Sequence, residues 1–328
     1  MQHPQPDEPA APCAPPRHRA PRPARPAPLD AVALWSRLTE RDRTILRLLD
    51  AHQVLTTEHL AALAGFPTLD RAQRRLLALY RTHVLDRFRH PRPDGSMTSW
   101  RYAVGPAGAA ILAAMRGTEP PRPATLRTRL LRLAAHPALH HLLGVNGLFA
   151  DLANYTATHP GETLAGWLGE RQAARACGNL ARPDGLGVWQ HAQGRVVFLL
   201  EYDTGTENLG QVQAKLDGYR DLAHSGGPQL PLPHTEDPAG QAAPLHPNRS
   251  MPGPFWVLFR LHSAARETHL RQRIHTDPTL IQPTHGSVRW AVATTHADLT
   301  EVHSPAGPIW LPLNASGRQL LHALHLHQ

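Results

Sequence analysis

Beginning at Thr39, apolar residues recur at the spacing of a helix face, and beyond Val84 they change to the alternation of a strand. Thr39-x-x-Asp42 has the form of a capping box and predicts a helix to about Ala51, with Ile45, Leu48 and Leu49 on its apolar face. Thr56 or Thr57 caps a shorter helix carrying Leu60 and Leu63, and Gly65 supplies its stop. Thr68 caps a third helix. At about 100° per residue, Leu69, Ala72, Leu76, Leu79 and Tyr80 fall on one side of it, and Arg71, Arg74, Arg75 and Arg81 on the other. Val84 to Arg89 reads as a strand, Pro91 to Ser96 as a turn built on Pro-Asp-Gly, and Trp100, Tyr102 and Val104 as alternating positions of a returning strand.

Three capped helices followed by a hairpin is the pattern of a winged helix-turn-helix, expected over residues 36–117. In that fold the third helix enters the major groove and the wing touches the backbone. Between Thr68 and Tyr102 eight arginines stand against three aspartates, a net of +5. Arg71, Arg74, Arg75 and Arg81 on the helix, with Arg87, Arg89, Arg92 and Arg101 on the hairpin, are therefore the candidate DNA contacts.

Thr118 to Pro123 is rich in proline and ends this unit, and the basic stretch Leu126 to Leu133 predicts a connecting helix within residues 118–136. A second domain, residues 137–328, opens with a helix from Pro137 to about Thr158. Strands follow at Thr163 to Glu170, Gly185 to Gln190 and Val196 to Asp203, then a helix from Asn208 to Ala223 and a strand from Phe255 to Leu261. A helix over Ala264 to Ile274 and a strand over Val288 to Ala293 close the series. The fold class is α/β, or α+β overall. Residues 225–254, rich in proline, glycine and histidine, read as an inserted loop. Residues 1–30, with ten prolines and four arginines, read as a disordered basic tail.

Composition narrows the partners. The 34 basic residues against 26 acidic ones leave a net charge of +8, which points to an acidic polymer. Cys13 and Cys177 lack the spacing of a zinc site or a disulfide framework. No stretch has the roughly 18 apolar residues of a membrane span and no signal-peptide core opens the chain, so a cytoplasmic protein is expected. The 23 histidines, among them the pair His140-His141 and the group His322, His325 and His327, read as the codon bias of a GC-rich genome rather than as metal ligands.

The same bias makes one residue conspicuous. Lys215 is the only lysine in the chain, and a compact ammonium suits a place beside a metal-bound water or a phosphate in a way that a forked guanidinium does not. It lies downstream of two acids, Asp184 at the start of one predicted strand and Glu201 at the end of the next, with Asp203 on the face of Glu201 by the period of two. On the following helix Asn208, Gln211, Lys215 and Tyr219 form a stripe at i, i+3, i+7 and i+11. Phosphodiester cleavage needs carboxylates to hold Mg²⁺ and a cation near the nucleophile or the developing charge. Asp184 and Glu201 are the candidate metal ligands, and with Lys215 the candidate catalytic set. Asp203, Gln211, Tyr219 and Glu170 are candidate accessory residues.

Helix, three strands, helix and strand, with these residues in place, resembles the core of the PD-(D/E)xK nucleases. The position two after the Glu, usually lysine, is Asp203 here, and Lys215-x-x-x-Tyr219 resembles the Gln-x-x-x-Tyr that exonuclease branches carry on the next helix. The chain resembles the replication-relaxation family of actinobacterial plasmids and integrative elements over roughly residues 36 to 293. The resemblance rests on Leu38-Thr39-Glu40-Arg41-Asp42, on Arg182-Pro183-Asp184, and on Leu200-Glu201-Tyr202-Asp203-Thr204-Gly205-Thr206-Glu207 with Lys215 and Tyr219. It implies a DNA-binding protein of plasmid or mobile-element replication or mobilisation, with a nuclease-like C-terminal domain.

The alternatives are an active Mg²⁺-dependent DNA endonuclease that nicks its substrate, and a winged-helix transcription regulator whose C-terminal domain senses a ligand. Mg²⁺ is the expected cofactor if the centre cleaves. Double-stranded DNA is the expected partner, with a homodimer as the candidate assembly and no membrane.

Overall fold

The computed structural model describes residues 31–230, 253–277 and 288–324. The basic tail, most of the 225–254 loop, Cys13, His325 and His327 lie outside the described residues. After α1 (Ala31–Arg37), α2 (Glu40–His52) starts on a capping box: the Thr39 hydroxyl accepts from the Asp42 N–H and the Asp42 carboxylate accepts from the Thr39 N–H. A two-residue strand, β1 (Leu55–Thr56), precedes α3 (Thr57–Leu63), which Thr56 caps, and Thr68 caps α4 (Leu69–Arg81). β2 (Leu85–Phe88) and β3 (Arg101–Val104) pair antiparallel, and β1 adds to the other edge of β3. Ile45, Leu49, Leu60, Leu76, Leu79 and Tyr102 form the core of this unit.

Two details of α4 differ from the expected division of faces. Leu69 is 42% exposed at the first position of the helix, where no neighbouring turn covers it. Arg75 points inward, its guanidinium bonded to both carboxylate oxygens of the fully buried Asp42.

α5 (Pro106–Met115) was not expected. It is alanine-rich, with apolar residues around its circumference and no polar stripe to reveal it. α6 (Pro123–Ala134) then leads to α7 (Leu139–Thr158).

The second sheet runs β4 (Thr163–Gly169), β5 (Gly185–His191), β6 (Gly194–Tyr202), β7 (Phe255–Leu261), β8 (Trp290–His296), β9 (Leu311–Pro312) in spatial order. β4, β5 and β6 are antiparallel neighbours, and β6, β7 and β8 are parallel. The parallel strands are joined by α9 (Leu209–His224) and α10 (Ala264–Thr276). Glu170 does not end β4 as expected but opens the short helix α8 (Glu170–Ala176). β8 begins two residues later than expected, and α11 (Ala297–Val302) and β9 were not foreseen, each being too short to show a period.

Alternation along β6 builds a core on each side of this sheet. Val197 and Leu199 pack with Val212, Leu216 and Tyr219 of α9, while Val196, Phe198 and Leu200 pack with Val145, Phe149 and Leu152 of α7. Where the two sheets' cores meet, Trp167 joins both. His52 stacks on Trp167 with ring centroids 3.4 Å apart, and Trp167 stacks on Phe149 at 4.6 Å. Buried Asn146 donates to the carbonyls of His52 and Val54, satisfying the end of α2 from across the junction. No helix among the described residues is long and apolar enough to cross a membrane.

Candidate functional site

Strand register explains why Asp184 and Glu201 meet. Gly185 pairs with Leu200, and the Asp184 N–H continues the ladder by donating to the Leu200 carbonyl at 2.9 Å, so Asp184 stands opposite Glu201. Glu201 keeps the parity of Val197 and Leu199 and therefore faces α9. On α9, Lys215 and Tyr219 are one turn apart and share a face. Lys215 Nζ donates to Glu201 Oε2 at 2.8 Å and lies 3.1 Å from a Glu207 oxygen. The Tyr219 hydroxyl donates to Glu201 Oε1. Thus the two acids and the amine converge.

Two glycines permit this approach. A Cβ on Gly218, between Lys215 and Tyr219, would stand 2.6 Å from the Leu180 carbonyl oxygen, so α9 lies this close to the segment leading into Asp184 only because that position lacks a side chain. A Cβ on Gly144 of α7 would stand 2.4 Å from the Tyr202 ring. That close approach brings the start of α7 to the end of β6, and His141 Nε2 reaches Asp184 Oδ1 at 2.9 Å. The other Asp184 oxygen accepts from the Tyr202 N–H at 2.7 Å.

Burial sets the charge states. Glu201 is 3% exposed, and burial together with the neighbouring Asp184 charge pushes its pKa up to about 7 against the opposing pull of Lys215. Burial also works against the Lys215 ammonium, but the contacts with Glu201, Asp184 and Glu207 outweigh it and hold the amine above its ordinary pKa. The amine therefore stays charged through the range in which Glu201 titrates. Burial lowers His141, yet its bond to Asp184 prevails and the imidazole is raised. Tyr219, buried beside Glu201, is raised well above a free phenol.

His141 was missed by sequence reasoning. Its only trace was the pair His140-His141, indistinguishable from compositional histidine until α7 is packed against Tyr202.

The accessory residues divide. Tyr219 belongs to the centre. Asp203 does not: Arg266 grips it through Nε at 2.5 Å and Nη2 at 2.9 Å, and the backbone N–H groups of Gly205 and His262 complete its bonding. Gln211 is spent on a capping box, its side chain accepting from the Asn208 N–H. Glu170 is exposed at the first turn of α8, next to Gly169, which pairs with Gly185.

The arginines also divide. Arg71, Arg81, Arg89 and Arg92 are exposed, as is Arg74, which pairs with Asp70 at 2.8 Å. Arg87 is half-buried between Tyr80 and Trp100, and Arg101 is half-buried against His90.

For Mg²⁺ the donor set is right in type, since Asp184 and Glu201 offer hard oxygens. Each of their four oxygens has a protein partner, from His141, the Tyr202 N–H, Lys215 and Tyr219, and each keeps a second lone pair. No group of three or more His, Cys, Asp or Glu side chains among the described residues is assembled for a metal. The pair fits an ion that draws its remaining ligands from water and a phosphate, and does not form a cage.

None of the curated proteins and none of the solved structures matches the chain. A family model described as replication-relaxation matches residues 46–232, from the middle of α2 past the end of α9, and so includes Asp184, Glu201, Lys215 and Tyr219. With more than half of its residues in that match, the chain belongs to the replication-relaxation family.

Proposed function

We propose that the chain binds double-stranded DNA in the replication or mobilisation of a plasmid or other mobile element, and that its six-stranded sheet presents a centre directed at a phosphodiester. The observation that carries this reading is the meeting of the chain's only lysine with Glu201, beside Asp184. The first unit acts as a winged helix, gripping the duplex through the exposed Arg71, Arg74, Arg81, Arg89 and Arg92. Asp184 and Glu201 hold Mg²⁺, which when bound lowers the pKa of a water and polarises the phosphate. Lys215 sets a fixed positive charge at the mouth of the centre, where it opposes the negative charge that builds on the phosphate oxygens. His141 and Tyr219 orient the two carboxylates, each by one hydrogen bond.

A second reading is a centre that holds DNA without cutting it. It is favoured by the depth of Glu201, whose oxygens are both engaged by α9. Supercoiled plasmid incubated with the protein in Mg²⁺ or Mn²⁺ separates the two. Nicking that depends on the metal and disappears in Asp184→Asn and in Lys215→Gln is the expected result. Salt-sensitive binding with no nicking leaves the holding role, and absence of salt-sensitive binding overturns both.

A further inference from the structure

No side chain of α6 is buried. Leu126, Leu130 and Leu133 are half-buried and Leu131 is 62% exposed. A helix of 12 residues is marginal in water without a packed face, so tertiary contacts within the chain do little to hold it. Its charge is one-sided in sign. Arg122 at the N-cap and Arg127, Arg129 and Arg132 are all exposed, and no Asp or Glu occurs between Glu119 and Asp151. None of the four guanidinium groups has an ion-pair partner among the described residues. On α4, by contrast, Arg74 and Arg75 are answered by Asp70 and Asp42.

The spacing orders these charges. Arg122, Thr125, Arg129 and Arg132 follow one another at three, four and three residues, which places them along one face of the helix over about 15 Å. Arg127 falls on another side, near Leu131. An exposed row of arginines free of acids matches a regularly spaced line of negative charge, and the side chains between them, threonine and leucine, offer no set of groups for reading base edges.

We infer that α6 is a second DNA-contacting element, whose Arg122–Arg129–Arg132 face grips the phosphate backbone of a duplex independently of its sequence. The inference rests on DNA being the partner, and it places a grip on the segment that joins the two sheets. Binding to phosphates in this way displaces condensed counterions, so the number of phosphates neutralised appears in the salt dependence of affinity.

The test uses the full chain and duplexes of unrelated sequence, titrated by fluorescence anisotropy between about 50 and 200 mM salt. The variant R122Q/R129Q/R132Q should weaken binding to every duplex at least tenfold. It should also reduce the slope of log affinity against log salt by about 2 to 3, close to 0.9 for each phosphate no longer neutralised. Arg127→Gln, the same substitution at a single position on another side, should leave the slope unchanged. Hydrogen exchange of the unaltered protein should slow over residues 123–134 when duplex is added, a readout that does not depend on how a variant folds. An unchanged slope in the triple variant, with the unaltered chain still binding DNA, overturns the inference and leaves the proposed function standing. A fall in oligomer mass in Leu131→Ser, seen by sedimentation without slower exchange on DNA, assigns the face to a second copy and also overturns it. Loss of all salt-sensitive binding in the unaltered chain removes the inference together with the reading beneath it.

Discussion

Asp203 and Glu201 stand two residues apart at the end of β6, both buried, and each is answered by a base from a neighbouring helix. At Asp203 the base is an arginine, and its planar fork meets both oxygens while two backbone N–H groups complete the bonding. At Glu201 the base is a lysine that touches one oxygen, is 34% exposed along its side chain, and stands beside Asp184 and Glu207. Asp42 and Arg75 repeat the first arrangement in the N-terminal unit. Forked pairs tie elements together and leave little for a ligand. The lysine pair leaves the second Glu201 oxygen to Tyr219 and shares its amine with Glu207.

The largest effect is expected where the forked pair is broken. Arg266→Ala leaves the Asp203 carboxylate buried without a counter-charge, and should lower unfolding free energy by about 3–5 kcal/mol. Denaturant titration measures this, and Asp203→Leu added to Arg266→Ala should restore much of the loss. A loss below about 1 kcal/mol would mean that water reaches Asp203 and that the corner is not sealed.

Lys215→Arg makes the open corner resemble the sealed one. The charge stays and a fork can close on Glu201, so stability should change by less than about 1 kcal/mol. Metal-dependent nicking, if the centre cuts, should fall about a hundredfold, because the guanidinium is bulkier and its charge is spread. A variant that nicks as well as the parent would remove the special place given to the lysine.

Buried bases without an acid supply the control for both corners. His52, stacked on Trp167 at the junction, has no carboxylate partner among the described residues, and burial lowers its pKa to about 4, whereas His141 is raised by Asp184. Well above pH 6.5 His52 is neutral in the folded and unfolded chain alike. As pH falls toward 4 the unfolded chain takes a proton that the fold refuses, and stability is lost in that window. At pH 5 the loss assignable to His52 is about 2 kcal/mol, and His52→Phe, which keeps a ring against Trp167, should remove that share of the acid sensitivity.

These pairs also mark how far the sequence could be read. The threonine caps, the order of the longer elements apart from α5, and the parity of β6 were legible because each depends on residues within a few positions of one another. The convergence of Asp184, Glu201 and Lys215 followed from the same local rules, extended by one antiparallel register. Arg75 and Asp203 were misjudged because their partners are distant in sequence: Asp42 lies 33 residues before Arg75, and Arg266 lies 63 after Asp203. A helical projection shows where a side chain points but not which charge will draw it inward. His141 is a further case, since its role depends on α7 reaching the end of β6, an approach made possible by the bare Cα of Gly144.

The smallest predicted effect probes what keeps Glu201 usable at all. Tyr219 is 1% exposed and donates to Glu201 Oε1, on the side away from Lys215 Nζ, so it solvates the half of the carboxylate that water does not reach. Tyr219→Phe keeps the ring in the core and removes only that donor, which should cost about 1 kcal/mol in unfolding free energy. With one fewer hydrogen bond to its charged form, Glu201 should become still harder to ionise, so its already raised pKa moves further up. The loss of stability should therefore be small below pH 4, where Glu201 is protonated in both states of the chain, and should grow as pH rises through 7. Equal destabilisation at both ends of that range would show that the hydroxyl serves packing alone, and that Lys215 by itself sets the charge of the centre.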